Sequence, residues 1–323
     1  MILTRREMLK SSTGALAAAA IGGVSCAGSQ CPIKFGLTTN TRPAWNEDFL
    51  LAISEASEVG FKAVETFNSY IREYRDDPAA LKALLDERGL VFVTISNGGG
   101  MKGNYGIEAE RDQLIEDHVA LVKYLKHFGC THLKVNTGRR EESGTTLETL
   151  KIMAKTANEL GKRIVDEGLE FGVHPHVWSH LETGWEVDTF FELADPRYVK
   201  MVLDTGQIAM GGADPIAMTR KYIDRMVEFH LKDVRPEHAN GRQGPPLTKE
   251  LYGNYEEHQI YFALGDGGVN FPELFRIMED AGFNGWATVE QDHTTAGCKI
   301  DAARSFAYIR DVLGYDPTFI GGT

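Results

Sequence analysis

Four short segments in the C-terminal half of the chain end in side chains that bind metals. They are Phe171-Gly-Val-His-Pro-His176, Met201-Val-Leu-Asp-Thr205, Val227-Glu-Phe-His-Leu231 and Trp286-Ala-Thr-Val-Glu290. Their donors, His174, Asp204, His230 and Glu290, are two imidazoles and two carboxylates. Brought to one point, such a set neutralises a divalent cation and leaves positions open for substrate oxygens. The donor types suit one Mn²⁺, Co²⁺, Zn²⁺ or Fe²⁺ without choosing among them. A lone His or Asp at a strand end is ordinarily a hydrogen-bonded structural residue, so the inference rests on four of them sharing one grammar. His176, two positions past His174, is a rival ligand, a substrate contact or a satisfied polar group.

Each apolar run is too short for a helix and rich in β-branched or aromatic residues, the signature of a buried parallel strand. The donors then stand at strand C-terminal ends, where α/β enzymes keep their chemistry. Eight strand candidates are counted: Ile33–Thr39, Ala63–Phe67, Leu90–Ser96, His132–Asn136, Leu169–His174, Val199–Asp204, Val227–Lys232 and Trp286–Gln291. Helical patterns lie between them, at Glu47–Val59, Pro78–Arg88, Glu108–Phe128, Thr146–Glu167, Asp188–Leu193, Pro215–Arg225, Phe271–Ala281 and Ala302–Leu313. Gly60, Gly89, Gly129, Gly168 and Gly282 follow helices where a C′ residue is expected. This β-then-α rhythm implies a parallel sheet with right-handed crossovers. Eight repeats over residues 31–323 predict a single-domain (β/α)₈ TIM barrel, a fold that typically takes about 250 residues. Closure of the barrel aims all four donors at one axial pocket.

Other chemistry-bearing residues fall near the same ends. Lys134 is either a base with a depressed pKa or a salt-bridged lysine, and Glu65 either a substrate contact or a buried hydrogen-bonded carboxylate. Lys232 and Asp233 are expected to anchor and orient, Arg235 to face an anionic or hydroxyl-rich substrate, and His293 to be a solvated loop residue. The two longest connections, Asn97–Ile107 and Val234–Tyr261, follow strands and read as lids or substrate loops. Gly98-Gly-Gly100 reads as a flexible lid or turn, since no helix-opening Lys-Ser/Thr follows it.

The formal net charge of −12 argues against a nucleic-acid partner, which would need clustered Lys and Arg. The four cysteines form no C-x-x-C pair and no disulfide framework. Residues 1–30 read as an export leader: Thr4-Arg-Arg-Glu-Met-Leu-Lys10 resembles the twin-arginine motif, and a Gly/Ala-rich stretch too short to span a bilayer follows it. Export by that route carries folded cargo and places the protein in the periplasm, with Cys26 as a candidate lipid anchor. Oligomeric state is not readable, although barrels of this type often pair.

The chain resembles the xylose-isomerase-like TIM-barrel superfamily of sugar isomerases, epimerases and dehydratases, and within it the inosose-dehydratase-like branch. The segments that carry the resemblance are Gly172-Val-His-Pro-His176, Leu203-Asp-Thr-Gly-Gln207, Gly211-Gly-Ala-Asp-Pro215, Phe229-His-Leu-Lys-Asp-Val-Arg235, Leu264-Gly-Asp-Gly-Gly-Val-Asn-Phe271 and Gly285-Trp-Ala-Thr-Val-Glu-Gln-Asp292. The N-terminal half matches only by rhythm. The resemblance implies one divalent ion held at the ends of strands 5 to 8, with Asp204, His230 and Glu290 at the family's positions and His174 replacing its usual Glu. Where the family has Asp-Thr-Gly-His this chain has Gln207, which can donate a hydrogen bond but cannot act as an acid or base.

A divalent ion that chelates a carbonyl and a neighbouring hydroxyl eases removal of the proton between them. Elimination, isomerisation and epimerisation share that first step. The His-Pro-His strand and the export leader favour elimination, by a lyase on an oxidised sugar such as a 3-keto-glycoside or a dehydratase on a keto-cyclitol. Glu290 or Lys134 would be the base and His176 would assist the leaving group, with Glu65, Gln207, Lys232 and Arg235 around the substrate. An aldose–ketose isomerase or ketose epimerase on a neutral sugar, and a non-catalytic exported sugar-binding barrel, stay open.

Overall fold

Short apolar runs, buried on both faces, form the strands: β1 Lys34–Thr38, β2 Ala63–Phe67, β3 Val91–Ser96, β4 His132–Val135, β5 Glu170–Val173, β6 Lys200–Asp204 and β7 Met226–Leu231. A two-residue ribbon follows, β8 Asp233–Val234 against β9 Tyr261–Phe262, and then the last barrel strand, β10 Trp286–Val289. The computed structural model describes residues 33–98 and 103–321. The leader expected over residues 1–30, with Cys26, and most of the Gly98-Gly-Gly100 run lie outside the described residues.

The eight long strands are parallel in the order β3-β2-β1-β10-β7-β6-β5-β4, which is the expected TIM barrel. The seam between β3 and β4 is joined mainly by side chains. Thr94 Oγ1 donates to His132 O at 2.8 Å, and Asn97 Oδ1 accepts the Asn136 N–H at 2.8 Å, beside one backbone bond from Asn97 N–H to Lys134 O. Register pairs His230 with Asp204 and with Thr288, two residues before Glu290, so these strand ends gather at the C-terminal end of the barrel.

The barrel is wrapped by α1 Phe49–Val59, α2 Pro78–Glu87, α3 Arg111–Lys126, α4 Leu147–Asp166, α5 Gly184–Leu193, α6 Thr205–Met210, α7 Pro215–Tyr222, α8 Lys249–Gly253, α9 Phe271–Asp280 and α10 Cys298–Asp311. Ile115, Val119, Val122 and Leu125 lie on the buried face of α3. All five expected C′ glycines adopt positive φ, and four of them would meet nothing with a Cβ, so backbone conformation alone selects Gly there. Two helices start four residues earlier than predicted. For α5 the reason is a capping box, Thr183 with Glu186, whose T-x-x-E spacing is visible in the sequence. The short α6 and α8 are additions to the prediction.

The connection from β7 to β10 crosses the C-terminal face. Its Leu247 carbonyl accepts from Trp178 Nε1 at 3.0 Å, and Tyr252 meets the Trp178 ring edge-to-face at 5.0 Å. Asp233 pins the ribbon by accepting the N–H groups of Val234, Gly265, Gly267 and Val269 within 3.0 Å, the anchoring expected of it. No helix among the described residues is long and apolar enough to cross a membrane.

Candidate metal centre

His174, Asp204, His230 and Glu290 converge at the C-terminal mouth, each buried, with one ligand atom from each lying within 4.8 Å of all the others. Both imidazoles are aimed by a second residue. Asn136 Oδ1 lies 2.9 Å from His174 Nδ1 and accepts its proton, which leaves His174 Nε2 as a lone pair pointing at Asp204 Oδ2, 3.5 Å away. Glu65 Oε2 takes His230 Nε2 at 2.8 Å, so that His230 Nδ1 faces Glu290 Oε2, its hydrogen-bond partner. This is the outer support that metal-binding histidines ordinarily carry. His176 stands apart from the four. Its Nδ1–H donates to Val177 O at 2.6 Å, and its ring centre is 5.7 Å from that of His174. Of the two rivals on strand 5, His174 is the one that stands in the four-residue donor cluster.

Two sequence motifs lock into each other here. Thr205 Oγ1 accepts the Lys232 N–H at 2.9 Å and donates to the Lys232 carbonyl at 2.7 Å. Gly206 makes room for the lysine stem, because a Cβ at that position would lie 2.6 Å from Lys232 Cγ. The lysine therefore runs fully buried into the centre. Its Nζ lies 2.7 Å from Asp292 Oδ1, 3.0 Å from Asp204 Oδ2 and 3.3 Å from Glu290 Oε2. Gln207 donates from its amide to Asp292 Oδ2 at 3.1 Å, and its N–H is capped by Asp204 Oδ1 at 2.9 Å.

The remaining expectations divide. Glu65 is placed beneath the centre: its oxygens are taken by Lys134 at 2.8 Å and by His230, so it positions the ligand instead of meeting substrate. Burial pulls the Lys134 ammonium down, but Glu65 and Glu290 outweigh it and its pKa is raised. Lys134 is thus held as a cation, the opposite of the depressed-pKa base considered from the sequence. Arg235 points away from the centre, with Nε donating to Gln259 O at 2.6 Å and Nη1 facing Glu237. His293 is buried instead of solvated, stacked on Tyr255 at 4.6 Å beneath the β7–β10 connection. Asn40, Asn136, Glu228 and Asp292 complete the site without having been singled out. Asn40 Nδ2 donates to Glu290 Oε1 at 2.8 Å, and Glu228, one layer deeper, takes His132 at 2.8 Å and a Thr288 hydroxyl. The signals available were a strand-end Asn in Leu133-Lys-Val-Asn136 and the places of Glu228 and Asp292 two residues from His230 and Glu290.

Charge tests whether the donor set fits an ion. Five buried carboxylates, Glu65, Asp204, Glu228, Glu290 and Asp292, face the two buried ammonium groups of Lys134 and Lys232. Protons make up the deficit. Burial and Lys134 oppose a charged His230, yet Glu65 and Glu290 raise its pKa to about 10. Burial raises Asp204 to about 6 against the pull of Lys232. Burial would also raise Glu290 and Glu65, but their cationic neighbours prevail, holding Glu290 well below the carboxylate range and Glu65 at about 2. Burial pushes His174 well below its ordinary value, so its imidazole is neutral, and its Nε2 is a buried atom with no hydrogen-bond partner. A neutral, unpartnered imidazole nitrogen among carboxylates that otherwise collect protons is a donor set that fits a divalent cation.

Relatives align over most of the chain. An inosose dehydratase of Klebsiella pneumoniae (strain 342) is 28% identical over 302 residues, covering 86% of this chain and 95% of that protein. An inosose dehydratase of Clostridium tetani is 29% identical over 275 residues, covering 81% of this chain and 89% of that protein. Among solved structures, a sugar phosphate isomerase/epimerase from Parabacteroides distasonis superposes with a TM-score of 0.65 at 18% identity, covering 91% of this chain and 98% of that one. The probable 3-DHS dehydratase AsbF of Bacillus anthracis gives 0.67 at 15% identity, covering 87% and 100%. At these identities the structures show the fold alone. The family described as Xylose isomerase-like TIM barrel matches residues 53–311, and with the barrel's strand order it establishes that the chain belongs to the xylose isomerase-like TIM-barrel family.

Proposed function

We propose that this barrel is a metal-dependent carbohydrate lyase that removes a proton next to a ketone and expels an oxygen from the β carbon. The substrates are keto-sugars or keto-cyclitols, the class to which the substrate of the inosose dehydratase relatives belongs. The observation that carries the reading is the state of Glu290. Its carboxylate is ionised, Oε2 faces His230 and Lys232 within the donor cluster, and Oε1 is held by Asn40 at the cluster's edge. His174, Asp204, His230 and Glu290 would hold the ion, which when bound supplies Lewis-acid polarisation of substrate oxygens.

In this scheme Glu290 Oε1 takes the α proton, the C–H electron pair becomes the new C=C bond, and the β C–O bond breaks with its electrons on oxygen. Lys232 and the Gln207 amide both donate to Asp292, and from there their positive ends would face oxygens of the substrate. Burial and Lys232 hold His176 below its ordinary pKa, and with Nδ1–H committed to Val177 O its Nε2 is an acceptor. Its Nε2 takes the proton of a substrate hydroxyl and passes it to the departing oxygen, which leaves as water or an alcohol, and the α proton held by Glu290 returns through solvent to the product oxygen. Export through a leader at residues 1–30 would put this activity in the periplasm, where intact glycosides are found.

The test is incubation of metal-loaded protein with a 3-keto-glucoside and with a keto-cyclitol in D₂O. Elimination with solvent exchange at the α carbon is expected, and Glu290→Gln should lose about 10²–10⁴-fold in turnover while still binding substrate. Exchange without loss of the β oxygen would make the protein an isomerase or epimerase. Binding without exchange in the wild type would make it a non-catalytic barrel.

A further inference from the structure

Beside Glu290, over the ends of β1, β2 and β10, lies a cleft of about 330 Å³ lined by Asn40, Arg42, Asn46, Phe67, Tyr70 and Tyr252, among others. It occupies the half of the barrel mouth opposite β5 and β6, which supply His174 and Asp204, and most of its lining has no role in the chemistry described above. Three features describe what it would hold. Asn40 Oδ1 and Asn46 Oδ1 are buried acceptors without a hydrogen-bond partner, a costly state that a bound hydroxyl would relieve. The Arg42 guanidinium lies 4.5 Å over the Tyr252 ring and donates from Nε to Asp292 O, while its terminal nitrogens make no hydrogen bond among the described residues. Phe67 and Tyr70 meet edge-to-face at 5.4 Å and present ring surface to the cleft.

Unpaired acceptors, a planar guanidinium and aromatic faces together match a ring that carries hydroxyls on its edge and C–H groups on its face. Charge narrows the class further. The lining carries one guanidinium, Arg42, and one carboxylate, Asp292, so it offers no cluster of cations for a phosphate. The volume lies at the lower end for small-molecule sites, enough for one sugar ring. Asn40 links the cleft to the reaction, since its Nδ2 holds Glu290 Oε1 while its Oδ1 remains unpartnered.

We infer that this cleft is a subsite for a second, neutral sugar ring, so that the substrate is a glycoside or disaccharide spanning both halves of the mouth and not a free cyclitol. The inference rests on the elimination reading for its orientation: the reacting ring lies at the metal-binding cluster and the ring that departs lies in the cleft.

The experiment compares kcat/KM for 3-keto-disaccharides of glucose with that for the 3-keto methyl glucosides, in wild type and in Asn46→Ala and Tyr70→Ala. Expected is a preference for the two-ring substrate that falls about three- to tenfold in each variant, the worth of one hydrogen bond or one aromatic contact. A variant that merely folds poorly lowers both rates and leaves their ratio unchanged, so an unchanged ratio overturns the assignment. Wild-type elimination from the methyl glucosides with no two-ring preference also overturns it and leaves the reaction reading intact. If no keto-substrate reacts, the reaction reading fails and calorimetry with unoxidised maltose and cellobiose against the methyl glucosides decides the subsite. Tighter disaccharide binding that Asn46→Ala removes would sustain it, and equal binding would overturn it.

Discussion

Replacing Asn136 by Ala tests the metal centre without touching a ligand. Among the described residues the amide's one side-chain hydrogen bond is that with His174 Nδ1 at 2.9 Å, and that contact fixes both the tautomer and the aim of the imidazole. The backbone of residue 136 is tied to Asn97 on both sides, N–H to Oδ1 at 2.8 Å and C=O from Nδ2 at 3.1 Å, and those bonds survive the substitution. Losing one outer support of a ligating histidine costs about 10–100-fold in metal affinity, or about 1.4–2.7 kcal/mol. The same lost bond costs about 1 kcal/mol of folding stability. The assay is competition between the metal-stripped protein and a chelator of known affinity for Co²⁺ or Mn²⁺, with urea unfolding as the control for structure. Asn136→Asp keeps an acceptor at the same place and should hold the ion at least as tightly as wild type. Two results would refute the reasoning: Asn136→Ala binding with wild-type affinity, or Asn136→Asp losing as much as Ala.

Two further perturbations probe the charge balance. Lys232→Met removes an ammonium shared by Asp204, Glu290 and Asp292, and unpairing buried carboxylates in this way should cost about 3–5 kcal/mol in metal-free protein. Added divalent ion should recover part of it, and urea midpoints that match wild type without metal would contradict the charge argument. His118 is buried against Leu114 O and the Asn97 amide, and burial lowers its pKa to about 4. Below its unfolded value near 6.5 the unfolded chain takes the proton first, so this stability is fully present above about pH 6.5. It is lost as pH falls toward 4, with a ceiling of about 3 kcal/mol. Urea midpoints at pH 7.5, 5.5 and 4.5 should fall less steeply for His118→Gln than for wild type, and equal slopes would exclude His118 as the source.

The strands were legible because each is a buried run bounded by turn residues, and the barrel followed from counting them. His174, Asp204, His230 and Glu290 were legible for the same reason, since each closes an apolar run whose strand ends at the barrel mouth. Helix starts were less so: α10 begins at Cys298 behind Gly297, a residue with no side chain to cap, so no local signal marks the boundary.

What the sequence concealed is the sign of each group's role, because sign depends on partners far along the chain. A lysine at the end of β4 reads equally as base or cation until Glu65, 69 residues earlier, is placed against it. Arg235 follows a conspicuous His-Leu-Lys-Asp run, yet the ribbon with β9 turns it toward Gln259. His293 became a buried ring only because the long β7–β10 connection returns Tyr252, Tyr255 and Tyr261 over it. The supports Asn40, Asn136 and Asp292 follow the same logic. Each is an ordinary polar residue locally, and each gains its role from a contact that barrel closure creates, with Glu290, His174 and Lys232 respectively. Which side chains converge is therefore a property of strand pattern, whereas their orientation and proton occupancy are properties of closure.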